Sequence, residues 1–273
     1  MSTQTALPTL RLVLTGRVQG VGFRPFVYRL AQDEGLQGQV QNTTQGVEIV
    51  VQGQEAALHR FTARLQTELP AVAEITAMKT SWTDDQPKFS GFHILSSTAG
   101  QGHNVLISPD IALCADCRAE ISDPGNPRHL YPFTNCTNCG PRFTITGSIP
   151  YDRASTSMAC FPMCPRCMAE YNDPTDRRFH AQPNACPVCG PRLWISGPDG
   201  KPMGSGTQAL DQVALALVQG QIVAIKGLGG FHLACLASDP QAVGRLRERK
   251  SRPSKPLAVM VADEKTADRL AHL

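Results

Sequence analysis

The sequence predicts an α+β multidomain chain of three unlike parts: a βαββαβ sandwich over 8–98, a cysteine-rich region over 105–195 and an α/β segment over 203–273. Three observations predict it. Residues 8–98 hold no cysteine and alternate strand-like with helix-like apolar patterns. Nine of the ten cysteines fall between 105 and 195, among many Pro, Asn and Asp, and long apolar stretches return from about 205. The breaks coincide with Ser96-Ser97-Thr98-Ala99-Gly100-Gln101-Gly102 and Gly197-Pro198-Asp199-Gly200, runs of turn-forming residues.

Composition narrows the class further. With 273 residues, 41% hydrophobic and 18% charged, at a formal net charge of +3, the chain is too apolar and too weakly charged to be disordered. Its longest apolar runs, Ile222 to Ile225 and Leu257 to Val261, are far short of the roughly 20 residues that cross a bilayer. Met1 to Pro8 lacks a basic stretch followed by an apolar one, so the expected compartment is the cytoplasm. Thiols stay reduced there, and paired cysteines read first as metal ligands.

In the first part, Leu10, Leu12 and Leu14 alternate with Arg11 and Val13 as a strand, and a glycine-rich turn over Gly16-Arg17-Val18-Gln19-Gly20-Val21-Gly22 follows. Pro25 suits a first helical turn. Phe23, Val27, Leu30 and Ala31 share a helical face, and Gly35 can end the helix in the left-handed conformation. Strands over Leu36 to Asn42 and Val47 to Val51 come next. A helix carrying Leu58, Phe61, Leu65 and Leu69 follows, then strands near Ile75 to Trp82 and Phe92 to Leu95. This order is that of the ferredoxin-like split sandwich. A glycine-rich turn running from a strand into a helix start aims backbone N–H groups and the positive end of the helix dipole at one point, an anion site to which Arg24 can add a bidentate fork. On spacing alone, the same glycines could serve only a tight turn, and Asn42 could be an ordinary turn residue.

The particular residues go further. Gly16-Arg17-Val18-Gln19-Gly20-Val21-Gly22-Phe23-Arg24 closely resembles the signature of the acylphosphatase family, and Gly38-Gln39-Val40-Gln41-Asn42-Thr43 with Gly46-Val47 resembles its second motif. The resemblance implies that Gly20, Val21, Gly22, Phe23 and Arg24 bind the substrate phosphate and that Arg24 and Asn42 are catalytic, Arg24 holding the phosphoryl group and Asn42 orienting the attacking water. An acyl phosphate is a mixed anhydride with a good leaving group, so a positioned water and stabilised phosphoryl charge suffice.

The cysteine region is an internal repeat. Cys114-x2-Cys117 and Cys136-x2-Cys139 enclose 18 residues, as do Cys164-x2-Cys167 and Cys186-x2-Cys189, and each cysteine of the second set lies 50 residues after its counterpart. Asp123-Pro124, Arg128 and Gly140-Pro141-Arg142 recur at the same offset as Asp173-Pro174, Arg178 and Gly190-Pro191-Arg192. Two Cys-x2-Cys turns complete a tetrahedral thiolate shell suited to zinc, with no open position, so two structural Zn²⁺ sites are expected that fold segments poor in apolar residues. Iron–sulfur or redox dithiol roles leave the doubled spacing unexplained. Four such turns allow three pairings, of which the sequential one is expected. Cys160 and Cys235 remain as ordinary thiols, and His129 and His180, without ligand spacing, read as polar surface or packing residues. Arg128, Arg142, Arg166, Arg177, Arg178 and Arg192 are interspersed with Asp116, Glu120, Asp123, Asp152, Glu170, Asp173 and Asp176. No single-sign field for nucleic acid results. Eight thiolates against two Zn²⁺ would also lower the formal +3 to about −1.

In the last part, Leu210, Val213, Ala214, Leu217 and Val218 mark a helix ending at Gln219-Gly220, and Ile222 to Ile225 a buried strand. Asp239 caps a second helix with Pro240 at its first position and Val243 and Leu246 turned inward, and Leu257 to Val261 reads as another buried strand. Lys226-Gly227-Leu228-Gly229-Gly230-Phe231-His232 fits neither the Walker nor the dinucleotide pattern. Arg245, Arg247, Arg249, Lys250, Arg252 and Lys255 are either a solvated helix end or a triphosphate site.

The segment resembles the start of the YrdC-like nucleotide-binding fold, whose Lys-x-Arg element matches Lys250-Ser251-Arg252, so Lys250, Arg252 and Lys255 are the implied nucleotide-binding residues. The order of acylphosphatase domain, two four-cysteine fingers and YrdC-like domain is similar to the N-terminal part of the HypF family of hydrogenase-maturation carbamoyltransferases. That resemblance implies an incomplete YrdC-like domain and a missing C-terminal domain. It also implies hydrolysis of carbamoyl phosphate, adenylation of the carbamate with ATP, and transfer to the C-terminal cysteine of a HypE-type acceptor protein for cyanide ligand synthesis. Two other readings stay open: a zinc-stabilised anion- or nucleotide-binding module, and a tRNA-modifying carbamoyl-adenylate enzyme.

Overall fold

The computed structural model describes residues 7–83, 88–98 and 105–271. Much of the N-terminal stretch Met1 to Pro8 and, from residue 99 on, the linker expected over 96–102 lie outside the described residues. The chain divides into two compact units, 1–191 and 192–273, so the sandwich and almost all of the cysteine-rich region share the first.

Eight elements build the sandwich and its edge: β1 (Thr9–Gln19), α1 (Phe23–Asp33), β2 (Gln37–Thr43), β3 (Gly46–Gln52), α2 (Glu55–Thr67), β4 (Glu74–Thr83), β5 (Phe92–Ile94) and β6 (Val105–Ile107). The sheet order is β4-β1-β3-β2-β5. β1 pairs antiparallel with β3 and β4, β5 joins parallel to β2, and β6 pairs parallel with the far end of β1. Period-2 alternation buries Leu10, Leu12, Leu14 and Val18 of β1 with Val47, Ile49 and Val51 of β3. Phe23, Val27 and Leu30 of α1 and Leu58, Phe61 and Leu65 of α2 complete that core at helical spacing. β1 runs on through Gln19, so the turn is only Gly20-Val21-Gly22, shorter than the glycine spacing predicts. Gly16 makes this possible: it takes a bulge at φ +121°, where a Cβ would lie 2.3 Å from the Glu74 carbonyl oxygen.

The cysteine region has little apolar core. Its two copies each begin with a helix capped by the first cysteine, α3 (Ala115–Ser122) after Cys114 and α4 (Pro165–Asn172) after Cys164. The duplication extends to the backbone, because Leu130 and His180, 50 residues apart, both turn left-handed at φ 55° and 53°. It also extends to a reciprocal lock. Arg128 donates to both Glu170 oxygens, at 2.8 and 2.5 Å, and to the Ala185 carbonyl, while Arg178 donates to both Glu120 oxygens and to the Asn135 carbonyl. Each partner in the second set is the 50-residue counterpart of one in the first, so the repeats clasp each other with twofold logic.

The second unit, taken by itself, contains the hairpin β7 (Trp194–Ser196) and β8 (Pro202–Ser205), α5 (Thr207–Val218), the hairpin β9 (Val223–Lys226) and β10 (Phe231–Ala234), α6 (Pro240–Arg249) and α7 (Glu264–Asp268). Asp239 caps α6 as its residue type predicts, accepting from the amides of Gln241 and Ala242. Ala242 and Leu246 are buried, whereas Val243 is only half-buried. The expected strand over Leu257 to Val261 does not form: among the described residues it has no ladder partner, and Met260 is 97% exposed. An apolar run needs a neighbouring strand to satisfy its backbone before it can be one.

Both guanidinium groups of the clasp are nearly inaccessible, with side-chain exposures of 3% for Arg128 and 3% for Arg178, so removing one partner leaves a buried charge. Arg128→Ala or Glu170→Ala should each destabilise the first unit by about 3–5 kcal/mol, and the double variant by clearly less than the sum. Chemical denaturation of the zinc-loaded protein checks this; strict additivity would deny the coupling.

Candidate active site and metal centres

The turn Gly20-Val21-Gly22 delivers α1 with Gly22 as its left-handed cap at φ 73°. Among the described residues the amides of Val21, Gly22, Phe23 and Arg24 have no backbone or side-chain acceptor, as expected at a helix start that can receive an anion. Arg24 is only 7% exposed and Asn42, on β2, 1%. Both line one small cleft of about 30 Å³ together with Gln19, Gly20, Tyr151, His180 and Gln182.

Half of this cleft comes from the cysteine region. Three bonds seat residues 151 and 152 on the sandwich. The Tyr151 amide donates to Gln19 Oε1 at 2.9 Å, the Tyr151 carbonyl accepts from Asn42 Nδ2 at 3.2 Å, and Asp152 Oδ1 accepts from Arg24 Nη2 at 2.6 Å. Asp152 Oδ2 also accepts from the Ser97 amide at 3.2 Å. Gln19 is itself braced, its Nε2 donating to the carbonyls of Thr43 and Gly46 at 2.8 Å. The strap is anchored on both repeats. Arg142, 2% exposed, donates to the carbonyls of Cys136, Thr137, Cys139 and Pro141 and to that of Gly20 in the turn. Arg153 donates to the carbonyls of Phe161, Gln182 and Asn184.

Among the described residues, two buried polar atoms of side chains that line the cleft have no partner: Asn42 Oδ1 and Tyr151 Oη. Burial pushes the Tyr151 phenol up to about 12, so it remains a donor. Burial, reinforced by the Arg24 charge, holds the His180 imidazole down at about 4, so it is neutral at pH 7. Of the two roles expected for it, polar surface or packing, His180 takes the second: it lines the cleft and packs against the Tyr171 and Phe179 rings. Tyr151, Asp152, Gln182 and His180 carry no motif that marks them in the sequence, whereas Gln19 lies inside the glycine-rich signature; only the position of residues 151 and 152 between the two repeats sets them apart.

The sequential cysteine pairing is the one the fold brings together: Cys114, Cys117, Cys136 and Cys139 in one group, Cys164, Cys167, Cys186 and Cys189 in the other, with all ligand atoms of a group within 4.8 Å. The donor set fits zinc. Sulfur–sulfur separations of 3.8 Å in the first group and 3.6 to 3.7 Å in the second agree with the edge of about 3.8 Å that a tetrahedron with zinc–sulfur bonds of about 2.3 Å requires. Guanidinium groups offset the thiolate charge across the clasp, Arg177 Nη1 lying 3.1 Å from Cys117 Sγ and Arg128 Nη2 3.5 Å from Cys167 Sγ. Cys160 is exposed and Cys235 half-buried, both apart from these groups, and His129 is half-buried.

In the second unit, Lys226 to His232 is a hairpin turn, its Gly227 amide bonded to the Gly230 carbonyl at 2.7 Å. Lys250 and Lys255 are exposed, while Arg252 turns back onto the Pro256 carbonyl at 2.7 Å. Arg247 is held by the backbone of the same stretch, donating to the carbonyls of Arg252, Pro253 and Lys255.

A helix-start anion cradle with a buried arginine and asparagine, on a ferredoxin-like sandwich closed by a thiolate-rich double repeat, defines an acylphosphatase-type domain joined to paired zinc fingers. Comparison with known proteins agrees. The acylphosphatase family model matches residues 10–94, the HypF finger model residues 113–146 and 163–196, and the telomere recombination model (Sua5, YciO and YrdC) residues 215–273. An acylphosphatase of Thermus thermophilus is 36% identical over 89 residues, 99% of its own length and 32% of this chain. Carbamoyltransferase HypF2 of Cupriavidus necator is 53% identical over 94% of this chain and 32% of its own length. A solved structure of full-length HypF in the phosphate- and nucleotide-bound form is 43% identical with a TM-score of 0.86, covering 98% of this chain and 35% of that one. The chain belongs to the HypF family. It spans about a third of the length of the curated relatives it matches.

Two measurements follow from this geometry. Metal analysis should give two zinc per chain, and Cys117→Ser should lower that to one while the sandwich, which has its own core, keeps its strands by circular dichroism. Because folded His180 titrates near 4 and an unfolded histidine near 6.5, the unfolded chain gains a proton as pH falls below 6.5 that the folded one refuses, and stability drops. His180→Asn, which tolerates the left-handed backbone, should lose less stability between pH 6.5 and 5 than wild type in denaturant titrations; identical losses would remove His180 from the acid response.

Proposed function

We propose that this chain carries the acyl-phosphate hydrolysing site of a hydrogenase-maturation carbamoyltransferase, with carbamoyl phosphate as its substrate. The observation that carries the reading is the cleft at Arg24: a buried guanidinium at a helix start whose first amides, Val21 to Arg24, have no acceptor among the described residues, with an unpaired carboxamide oxygen on Asn42, which lines the same cleft. The amides of Val21 to Arg24 and the Arg24 guanidinium bind the phosphoryl oxygens. Nδ2 of Asn42 is held by the Tyr151 carbonyl, which leaves Oδ1 to accept from a water and turn its lone pair toward phosphorus. The water oxygen bonds to phosphorus, the bond from phosphorus to the acyl oxygen breaks, and carbamate leaves with the electron pair. The water's remaining protons pass to phosphate and solvent. Preorganised donors aimed at the phosphoryl group lower this barrier.

The same reading gives the whole protein its further steps: adenylation of carbamate with ATP, and transfer to a HypE-type acceptor protein. Lys250, Arg252 and Lys255 would serve nucleotide phosphates in the second unit, in keeping with the family match over 215–273. Each four-cysteine group holds a structural zinc whose shell of four thiolates is closed. The proposed compartment is the cytoplasm; among the described residues no helix is long and apolar enough to cross a membrane.

Phosphate release from carbamoyl phosphate tests the site. Arg24→Ala should lower kcat/KM by about 100-fold or more, while Lys250→Ala should leave this step unchanged. Equal rates for wild type and Arg24→Ala would overturn the assignment.

A further inference from the structure

Building on the acyl-phosphate reading, we infer that the strap between the two cysteine units supplies a substrate-contacting residue, Tyr151, whose hydroxyl donates a hydrogen bond to the acyl phosphate held at Arg24. The sandwich brings the phosphate turn and Asn42, but Tyr151 lies more than 100 residues further along and reaches the cleft only because the strap is seated there. Both its backbone groups are spent, the amide on Gln19 and the carbonyl on Asn42. Its side chain is 3% exposed and lines the cleft, yet the hydroxyl has no partner. A buried hydroxyl left unpaired costs folding free energy, which calls for a ligand that satisfies it.

The ring's position narrows what that ligand is. A Cβ built on Gly20 would lie 3.4 Å from Tyr151 Cε1, the ring carbon next to the one bearing the hydroxyl. With Cδ1 at 3.5 Å as well, one edge of the ring lies against the phosphate turn. The cleft's other unpaired polar atom, Asn42 Oδ1, is an acceptor, and the two do not bond to each other. An orphaned donor and an orphaned acceptor on two side chains of one cleft suit a site that takes an anion and a water at once: the phenol donates to an oxygen of the anion, and the carboxamide accepts from the water. Burial keeps the phenol protonated across the neutral range, as a donor to an anion must be. The chemical class of ligand is a small acyl phosphate, whose oxygens meet Arg24, the turn amides and this phenol together.

Tyr151→Phe deletes only the hydroxyl. In the zinc-loaded chain it should lower kcat/KM for carbamoyl phosphate and acetyl phosphate by about 10- to 100-fold. Zinc content should stay at wild-type level, and the unfolding midpoint should be unchanged or raised, since an unpaired buried group has gone. Wild-type kinetics in this variant would overturn the inference. A measurement on the unaltered chain guards against a folding defect: with tyrosine labelled by ¹³C at Cζ, saturating inorganic phosphate should shift the Tyr151 resonance, one of four tyrosines in the chain. An unmoved resonance at saturation would overturn the contact. Failure of the underlying reading looks different. In that case neither wild type nor Arg24→Ala releases phosphate from acyl phosphates, whatever Tyr151 does.

Discussion

The ion pair between Arg24 and Asp152 is the contact on which the rest of the first unit turns. Arg24 sits 7% exposed at a helix start, beside amides that already present positive charge, so it needs a carboxylate to be held there. Asp152 supplies it from 128 residues away, and its second oxygen ties down the amide of Ser97 at the end of the sandwich. One carboxylate therefore fixes the guanidinium that would meet the phosphoryl group and joins two regions that a sequence-based division separates. For the proposed phosphate, Arg24 would already be oriented, the kind of preorganisation that lowers a barrier without reorganisation at the moment of reaction.

Asp152 can do this only if its segment is rigid, and the segment has almost no apolar core of its own. Rigidity comes from the two thiolate groups through a chain of arginines. Arg142 gathers the carbonyls of one Cys-x2-Cys turn and that of Gly20, Arg153 gathers carbonyls of the other repeat, and the reciprocal pairs Arg128 with Glu170 and Arg178 with Glu120 hold the repeats together. Read as surface charge, these residues cancel and suggest nothing. In the fold they are buried struts, each guanidinium spreading several donors over fixed acceptors. Arg142 and Arg153 thereby tie the backbone beside the two thiolate groups to the Gly20 turn and to the strap that carries Asp152.

What could be read from the sequence had a period or a fixed spacing. The alternation of Leu10, Leu12 and Leu14, the helical spacing of Leu58, Phe61 and Leu65, the glycines around Arg24 and the 50-residue repeat all encode local geometry, and the elements and cysteine groups stand where those patterns put them. Tyr151, Asp152 and His180 were not readable as site residues. The bonds of Tyr151 and Asp152 to Gln19, Asn42 and Arg24 span more than 100 residues, and three of the four seating contacts rest on a backbone amide or carbonyl, which leaves no trace in residue type. The apolar run Leu257 to Val261 failed for the opposite reason: its composition suits a strand, but a strand also needs a partner.

The central claim is that the thiolate-bound strap completes the acyl-phosphate site on a sandwich that would otherwise be folded but open. The most direct measurement follows carbamoyl phosphate hydrolysis while zinc is stripped by a chelator, with the sheet signal of the sandwich recorded in parallel. Activity should fall in step with zinc content while the sheet signal persists, and return when zinc is restored. Full activity in zinc-free protein with an intact sandwich would contradict the role given to the strap.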